Sequence, residues 1–79
     1  MRRMKHAWRI TITDSEQVMT VTGPATLDDG RPIVDYNVKQ IDSLHWIGGR
    51  ADGQGPTLKA NTLMLMLFMI GDAIEEIER

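Results

Sequence analysis

The sequence predicts an α+β domain in which a four-stranded antiparallel meander packs on one long C-terminal helix. Three observations lead to this prediction. Apolar and polar residues alternate with a period of two along much of residues 8–47, as they do in half-buried strands. A glycine-rich stretch, residues 48–55, then interrupts the pattern. Beyond it, apolar residues recur every three or four positions through residues 56–78, which is typical of an amphipathic helix.

The first two strands are predicted to form a hairpin. Residues 8–13 alternate strictly between apolar side chains on one side and polar side chains on the other. Polar turn formers follow at residues 14–17, and residues 18–22 resume the pattern. The two segments should therefore pair antiparallel, and the dipeptide of Gly23 and Pro24 should end the hairpin.

The third and fourth strands are predicted to form a second hairpin. Residues 33–41 alternate again, and a short turn at Asp42 and Ser43 leads into a fourth strand at residues 44–47. The side chains expected to point toward the core from the third strand are Val34, Tyr36 and Val38.

Residues 48–55 are expected to be a flexible connection between the sheet and the helix. Four of these eight residues are glycine, which loses the most backbone entropy when it is ordered. Pro56 suits the first position of a helix, because the N–H group that proline lacks would have no partner within the helix. The helix is therefore predicted to span residues 56–78.

The predicted helix carries more apolar surface than one sheet can cover. One apolar stripe faces the sheet, and further apolar residues lie on the opposite side among polar ones. Leaving a Leu, Phe or Met side chain exposed forgoes roughly 1.5–3 kcal/mol, and several together form a patch that favours a partner. The residues predicted to form this outer contact surface are Leu58, Met64, Leu65, Phe68, Met69, Asp72 and Glu76.

Three coverings of this outer surface stay open at the level of sequence. Loops or the N-terminal arm could wrap around the helix. A second copy could pack helix on helix about a two-fold axis, as in most small oligomers. A different protein could also bind there. The acidic last turn lies at the negative end of the helix dipole, which favours a compensating basic group from residues 1–6 or from a partner. The alternative is a solvated charged end with Arg79 nearby.

Composition and charge exclude several classes of protein. The chain has 79 residues, which favours one domain, and no cysteine, which favours a reducing compartment such as the cytoplasm. The longest apolar run, residues 63–70, is far shorter than the roughly 20 residues of a membrane span. With 9 positive and 11 negative residues there is no general attraction to nucleic acid. The expected flexible basic arm at residues 1–6 leaves weak nucleic-acid binding as an alternative.

Signals for a catalytic or ligand site are sparse. His6 and His45 are the only histidines, and no cysteine accompanies them, so we expect no metal site, no cofactor and no enzymatic activity. The glycine-rich residues 48–55 lie between a predicted strand and a predicted helix, where phosphate-binding loops occur. With Arg50 and Lys59 close by, they give a second alternative, a small module that binds an anion or another small ligand.

The order of the elements resembles that of small bacterial domains of uncharacterised function. The features that carry the resemblance are the hairpin, Gly23 with Pro24, Asp29 with Gly30, the strand ending near Ile41, Gly48 with Gly49, and the closing helix. Proteins of this size and layout also occur as toxin immunity proteins and as phage inhibitors of bacterial defence, such as anti-CRISPR proteins. The sequence and the resemblance together suggest a non-enzymatic, homodimeric interaction protein that acts as an inhibitor by occluding a surface of a larger protein.

Overall fold

The computed structural model describes residues 5–14, 16–23 and 29–78. Within these residues it contains five strands and one helix: β1 (Ala7–Asp14), β2 (Gln17–Thr22), β3 (Ile33–Asp42), β4 (His45–Arg50), β5 (Leu58–Ala60) and α1 (Leu63–Glu78). The predicted fold class is confirmed, because a mostly antiparallel sheet packs against one C-terminal helix.

The strand order is β2-β1-β3-β4-β5, which differs from the predicted meander. β1 pairs with β2 in an antiparallel hairpin, as expected, but its other neighbour is β3, to which it runs parallel. Ion pairing supports this arrangement, since Arg9 Nε and Nη2 donate to the two carboxylate oxygens of Asp35 at 2.8 and 3.0 Å. In a meander, β1 would have been an edge strand of the sheet. The parallel pairing puts β1 inside the sheet and β2 at the edge.

A fifth strand and a later helix start replace the predicted start of the helix at Pro56. Residues Leu58–Ala60 pair antiparallel with β4, and α1 begins only at Leu63. Thr62 caps the helix: its Oγ1 accepts a hydrogen bond from the Leu65 N–H at 3.1 Å, and its carbonyl accepts one from the Met66 N–H at 3.1 Å. The side-chain bond satisfies a donor that would otherwise be left free at the helix N-terminus.

The glycine-rich stretch is also shorter than predicted, because Gly48 and Gly49 belong to β4. A Cβ atom on Gly48 would lie 2.7 Å from the Met66 sulfur, so this glycine lets α1 approach the sheet closely. The turn that follows contains Gly53 and Gly55 with φ of 79° and 77°, a conformation that favours glycine.

The core lies between one face of the sheet and α1. The inward set predicted for β3 is confirmed, and it packs with apolar side chains of β1, β4 and the helix. The buried core residues are Ile10, Ile12, Val34, Tyr36, Val38, Trp46, Met66, Ile70 and Ile74.

The C-terminal end of α1 is tied to the start of β1. The His6 N–H donates to Glu78 Oε1 at 3.2 Å, and Glu78 is only 7% exposed although it is an acidic residue. A basic group beside the acidic last turn stays a prediction, since the donor at Glu78 is a backbone N–H group. Residues 1–4 of the predicted basic arm lie outside the described residues.

Candidate functional site

Apolar side chains project from the side of α1 that faces away from the sheet. Met64 is 70% exposed, Phe68 67% and Leu65 45%, whereas Met66 and Ile70 on the opposite side are fully buried. Periodicity explains the split, because positions three and four residues apart share one side of a helix. Met64, Leu65 and Phe68 of the predicted contact surface thus lie together on the outer side of the helix.

Leu65 also forms part of a groove beside the β3–β4 turn. The groove has a volume of about 490 Å³, and Ile41, Leu44 and Trp46 contribute apolar walls. Ile41 is 56% exposed and Leu44 64% exposed, so both side chains present apolar surface to solvent. The groove and the outer side of the helix meet at Leu65, and we call them together the apolar surface.

A local hydrogen-bond network shapes the turn that presents Leu44. Asp42 Oδ1 accepts a hydrogen bond from the Leu44 N–H at 2.9 Å and lies 2.6 Å from His45 Nδ1. The Leu44 N–H, followed by His45, lowers the pKa of Asp42 below its usual range. The ionised carboxylate therefore favours the turn that holds Leu44 at the groove.

An acidic segment extends the apolar surface along α1. Asp72 and Glu76 follow Phe68 at intervals of four residues, and both are exposed. The Asp72 carboxylate gives negative charge to the C-terminal half of the outer face. Glu76 also lines a cavity with Arg50 of the sheet, so it lies at the margin of this face. Lys59 lies at the groove near the N-terminal half. The surface is therefore apolar at one end and acidic at the other.

Two residues of the predicted contact surface have different positions from the others. Leu58 lies in β5 and not on the helix, and its half-buried side chain packs against the core. It is excluded from the apolar surface because the helix begins five residues later. Met69 lies on α1 but is only half-exposed, so it contributes at the margin of the surface.

Ile41 and Leu44 were missed as members of a site when the sequence was considered alone. The register between β3 and β4 shifts between Gln40 and Asp42, which leaves Ile41 as an extra residue in the ladder. Such a bulge redirects a side chain away from the simple alternation of a strand. The available signal was the pair of large apolar residues directly flanking a polar turn.

The two basic residues of the predicted ligand site, Arg50 and Lys59, do not lie together. Gly48 and Arg50 are two residues apart in β4, so they share the face of the sheet that carries α1. Lys59 pairs with Ile47, which belongs to the other face. The sheet therefore separates Arg50 from Lys59, and they form no shared anion pocket.

Arg50 is instead engaged in its own turn. Its Nη2 donates to Asp52 Oδ2 at 2.7 Å, and the Gln54 N–H donates to Asp52 Oδ1 at 2.9 Å. The bond from Gln54, with a smaller contribution from Arg50, lowers the pKa of Asp52. Nearby, burial raises the pKa of the Tyr36 hydroxyl. These bonds lie within the turn whose flexibility stays a prediction.

The remaining chemistry of the described residues is limited. They contain no group of three or more acidic, histidine or cysteine side chains arranged to hold a metal ion. In the same part of the chain, no helix has the length and apolar character needed to cross a bilayer. His6 lies at the C-terminal end of α1 and His45 at the β3–β4 turn, so the two histidines belong to different regions.

The apolar surface therefore offers contact for apolar side chains, with negative charge alongside. No protein-family model matches the sequence, and the comparisons with curated proteins and with solved structures found no significant match.

Proposed function

We propose that this protein is a non-enzymatic module that binds a larger protein through the apolar surface and acts, as an inhibitor does, by occluding the surface it binds. The observation that carries the proposal is the continuity of exposed apolar side chains through Leu65. This residue joins Met64 and Phe68 on the helix to Ile41 and Leu44 at the groove. Isolated exposed apolar residues are ordinary on protein surfaces, but a contiguous set around a groove is typical of binding sites.

The groove and the helix favour a partner segment that is itself an amphipathic helix. A helix can insert apolar side chains into a groove at intervals of three and four residues while its other side stays in water. Trp46, which lines the groove, is 8% exposed and offers an aromatic contact to an inserted side chain. The groove is bordered by α1, beside which such a partner helix can pack.

Charge indicates which amphipathic helix fits best. Asp72 continues the outer face of α1 beyond Phe68, and Glu76 lies at the margin of that face. A segment with basic residues beside its apolar ones would place positive charge opposite these carboxylates, which favours association and orients the partner. We therefore infer a partner with an amphipathic, basic helix.

A synthetic helical peptide with leucine on one side and lysine on the other provides a direct test. We expect it to shift the amide resonances of Leu44, Leu65 and Phe68 in an NMR titration. The Phe68→Asp variant should weaken binding by about tenfold or more, because it places a charge in the middle of the apolar contact. Ile33→Asp is the matched control, since Ile33 is an exposed apolar residue of the sheet, 41% exposed, outside this surface.

The charge of the partner is tested separately. Asp72→Lys should weaken binding of the lysine-containing peptide and strengthen binding of a matched peptide that carries glutamate instead. Equal effects of Phe68→Asp and Ile33→Asp would contradict the proposed surface. Equal affinity of wild type for the two peptides would contradict the inference of a basic partner.

A homodimer through the same surface stays a prediction from the sequence. A second copy and a larger partner cannot occupy the apolar surface together. A dimer that leaves this surface available must therefore use another contact.

A further inference from the structure

Among the residues that the structure describes, the strand β2 is an edge of the sheet without the usual protective features. Every one of its six residues is exposed, and its sequence from Gln17 to Thr22 contains no charged residue, proline or glycine. Its pairing with β1 runs without a bulge from Thr22 to Gln17. Sheet edges are usually protected by charges, prolines, bulges or short length. The opposite edge, β5, has two of these features, since it is three residues long and contains Lys59.

The backbone groups that β2 leaves free can be identified from one hydrogen bond. The Gly23 N–H donates to the Trp8 carbonyl at 2.6 Å, which makes this pair a hydrogen-bonded pair of the antiparallel ladder. Hydrogen-bonded pairs recur at every second residue, so Val21 and Met19 also direct their N–H and C=O groups toward β1. The N–H and C=O groups of Val18, Thr20 and Thr22 therefore point away from the sheet.

We infer that two copies of this chain dimerise by antiparallel pairing of their β2 strands about a two-fold axis at Thr20. In this register Thr20 lies opposite Thr20 of the second copy, and Val18 lies opposite Thr22. Each outward N–H group then faces an outward C=O group, so the edge is complementary to itself. Nothing in β2 opposes the pairing electrostatically, because the strand carries no charge.

The same register also covers apolar side chains. Met19 and Val21 point to the side of the sheet that carries α1, where they are 45% and 37% exposed. The two-fold axis places Met19 of one copy opposite Val21 of the other, in a pair without hydrogen bonds, where side chains approach most closely. The contact thus buries apolar surface that α1 does not cover.

The dimer leaves the apolar surface accessible. Its axis is perpendicular to the sheet, so both α1 helices lie on the same side of the joined sheets. Because β2 has only six residues, the contact is small and the dimer should dissociate on dilution.

Sedimentation velocity over a range of concentrations tests the inference. Wild type should approach the mass of two chains at high concentration and of one chain on dilution. Thr20→Lys should shift dimerisation to at least about tenfold higher concentration, because it places two like charges opposite each other at the axis. Phe68→Asp should leave the dimer intact. Circular dichroism and NMR spectra would show that each variant is folded.

Crosslinking tests the register itself. The chain has no cysteine, so Thr20→Cys introduces a single thiol that mild oxidation should join to that of the second copy. In hydrogen-bonded pairs the Cα atoms lie about 5.5 Å apart, within the range that a disulfide spans. Thr57→Cys, an exposed position in the loop before β5, is the control and should crosslink far more slowly. A monomeric wild type at high concentration, or a dimer that Phe68→Asp splits and Thr20→Lys does not, would overturn the inference while leaving the peptide test of the apolar surface unaffected.

Discussion

The indole ring of Trp8 lies against the backbone of Gly23. A Cβ atom added at Gly23 would come within 2.4–2.5 Å of three ring atoms, much closer than real carbon atoms approach. The indole is rigid, so relief requires the whole side chain or the strand to move. A single methyl group at this position should therefore disturb the contact between β1 and the end of the hairpin.

We expect Gly23→Ala to lower the free energy of unfolding by about 1–3 kcal/mol, the usual cost of overpacking. Gly49→Ala is the matched control, because a Cβ there meets nothing within 4 Å. Urea denaturation of both variants measures the difference. Equal stability of the two variants would show that Trp8 does not restrict Gly23.

Asp42 gives the β3–β4 turn a dependence on pH. Its pKa is lowered from the usual 3.8 mainly by the Leu44 N–H and then by His45. A carboxyl whose folded pKa is depressed stabilises the protein above its unfolded pKa, and that stabilisation is lost as the pH falls through the folded value. The contribution of Asp42 is thus present above pH 3.8 and disappears below it.

We expect Asp42→Asn to destabilise the protein near neutral pH and to have progressively less effect as the solution is acidified below pH 3.8. Urea midpoints measured across this range test the expectation. An NMR titration of the Asp42 carboxyl with a midpoint at or above 3.8 would contradict it.

At the scale of elements, Thr62 determines where α1 begins. Its hydroxyl oxygen accepts the Leu65 N–H, the third amide of the helix. Replacing such a cap by alanine costs about 0.5–2 kcal/mol. We expect Thr62→Ala to destabilise the protein by about this amount, measured by thermal or urea unfolding. Thr57→Ala, in the exposed loop before β5, should have little effect.

The elements differ in how far sequence predicts them. Alternation predicted the first four strands and periodicity predicted the body of the helix, because both patterns extend over many residues. β5 was missed because three residues are too few to show a period. The helix start was misplaced because Pro56 and Thr62 both suit a helix N-terminus, and the pairing of β5 with β4 decided between them.

At the scale of the whole molecule, sequence patterns indicate which face of an element is buried but not which elements are neighbours. The parallel pairing of β1 with β3 joins residues far apart in the chain, and alternation is the same for parallel and antiparallel neighbours. The candidate site could likewise be predicted only in part, because it depends on which elements are neighbours. The exposed side of α1 follows from periodicity, whereas the groove depends on the bulge at Ile41 and on how the turn meets the helix.

The parallel contact joins the N-terminal hairpin to the rest of the sheet, and each of the two parts depends on the other for stability. The hairpin of β1 and β2 exposes its apolar face until α1, the last element, packs against it, and an isolated two-stranded hairpin is marginal in water. A ribosome releases this hairpin well before the helix. Until α1 has also left the ribosome, the nascent chain therefore keeps the apolar face of β1 open, and ribosome-bound chains truncated before residue 63 should be readily cleaved by protease.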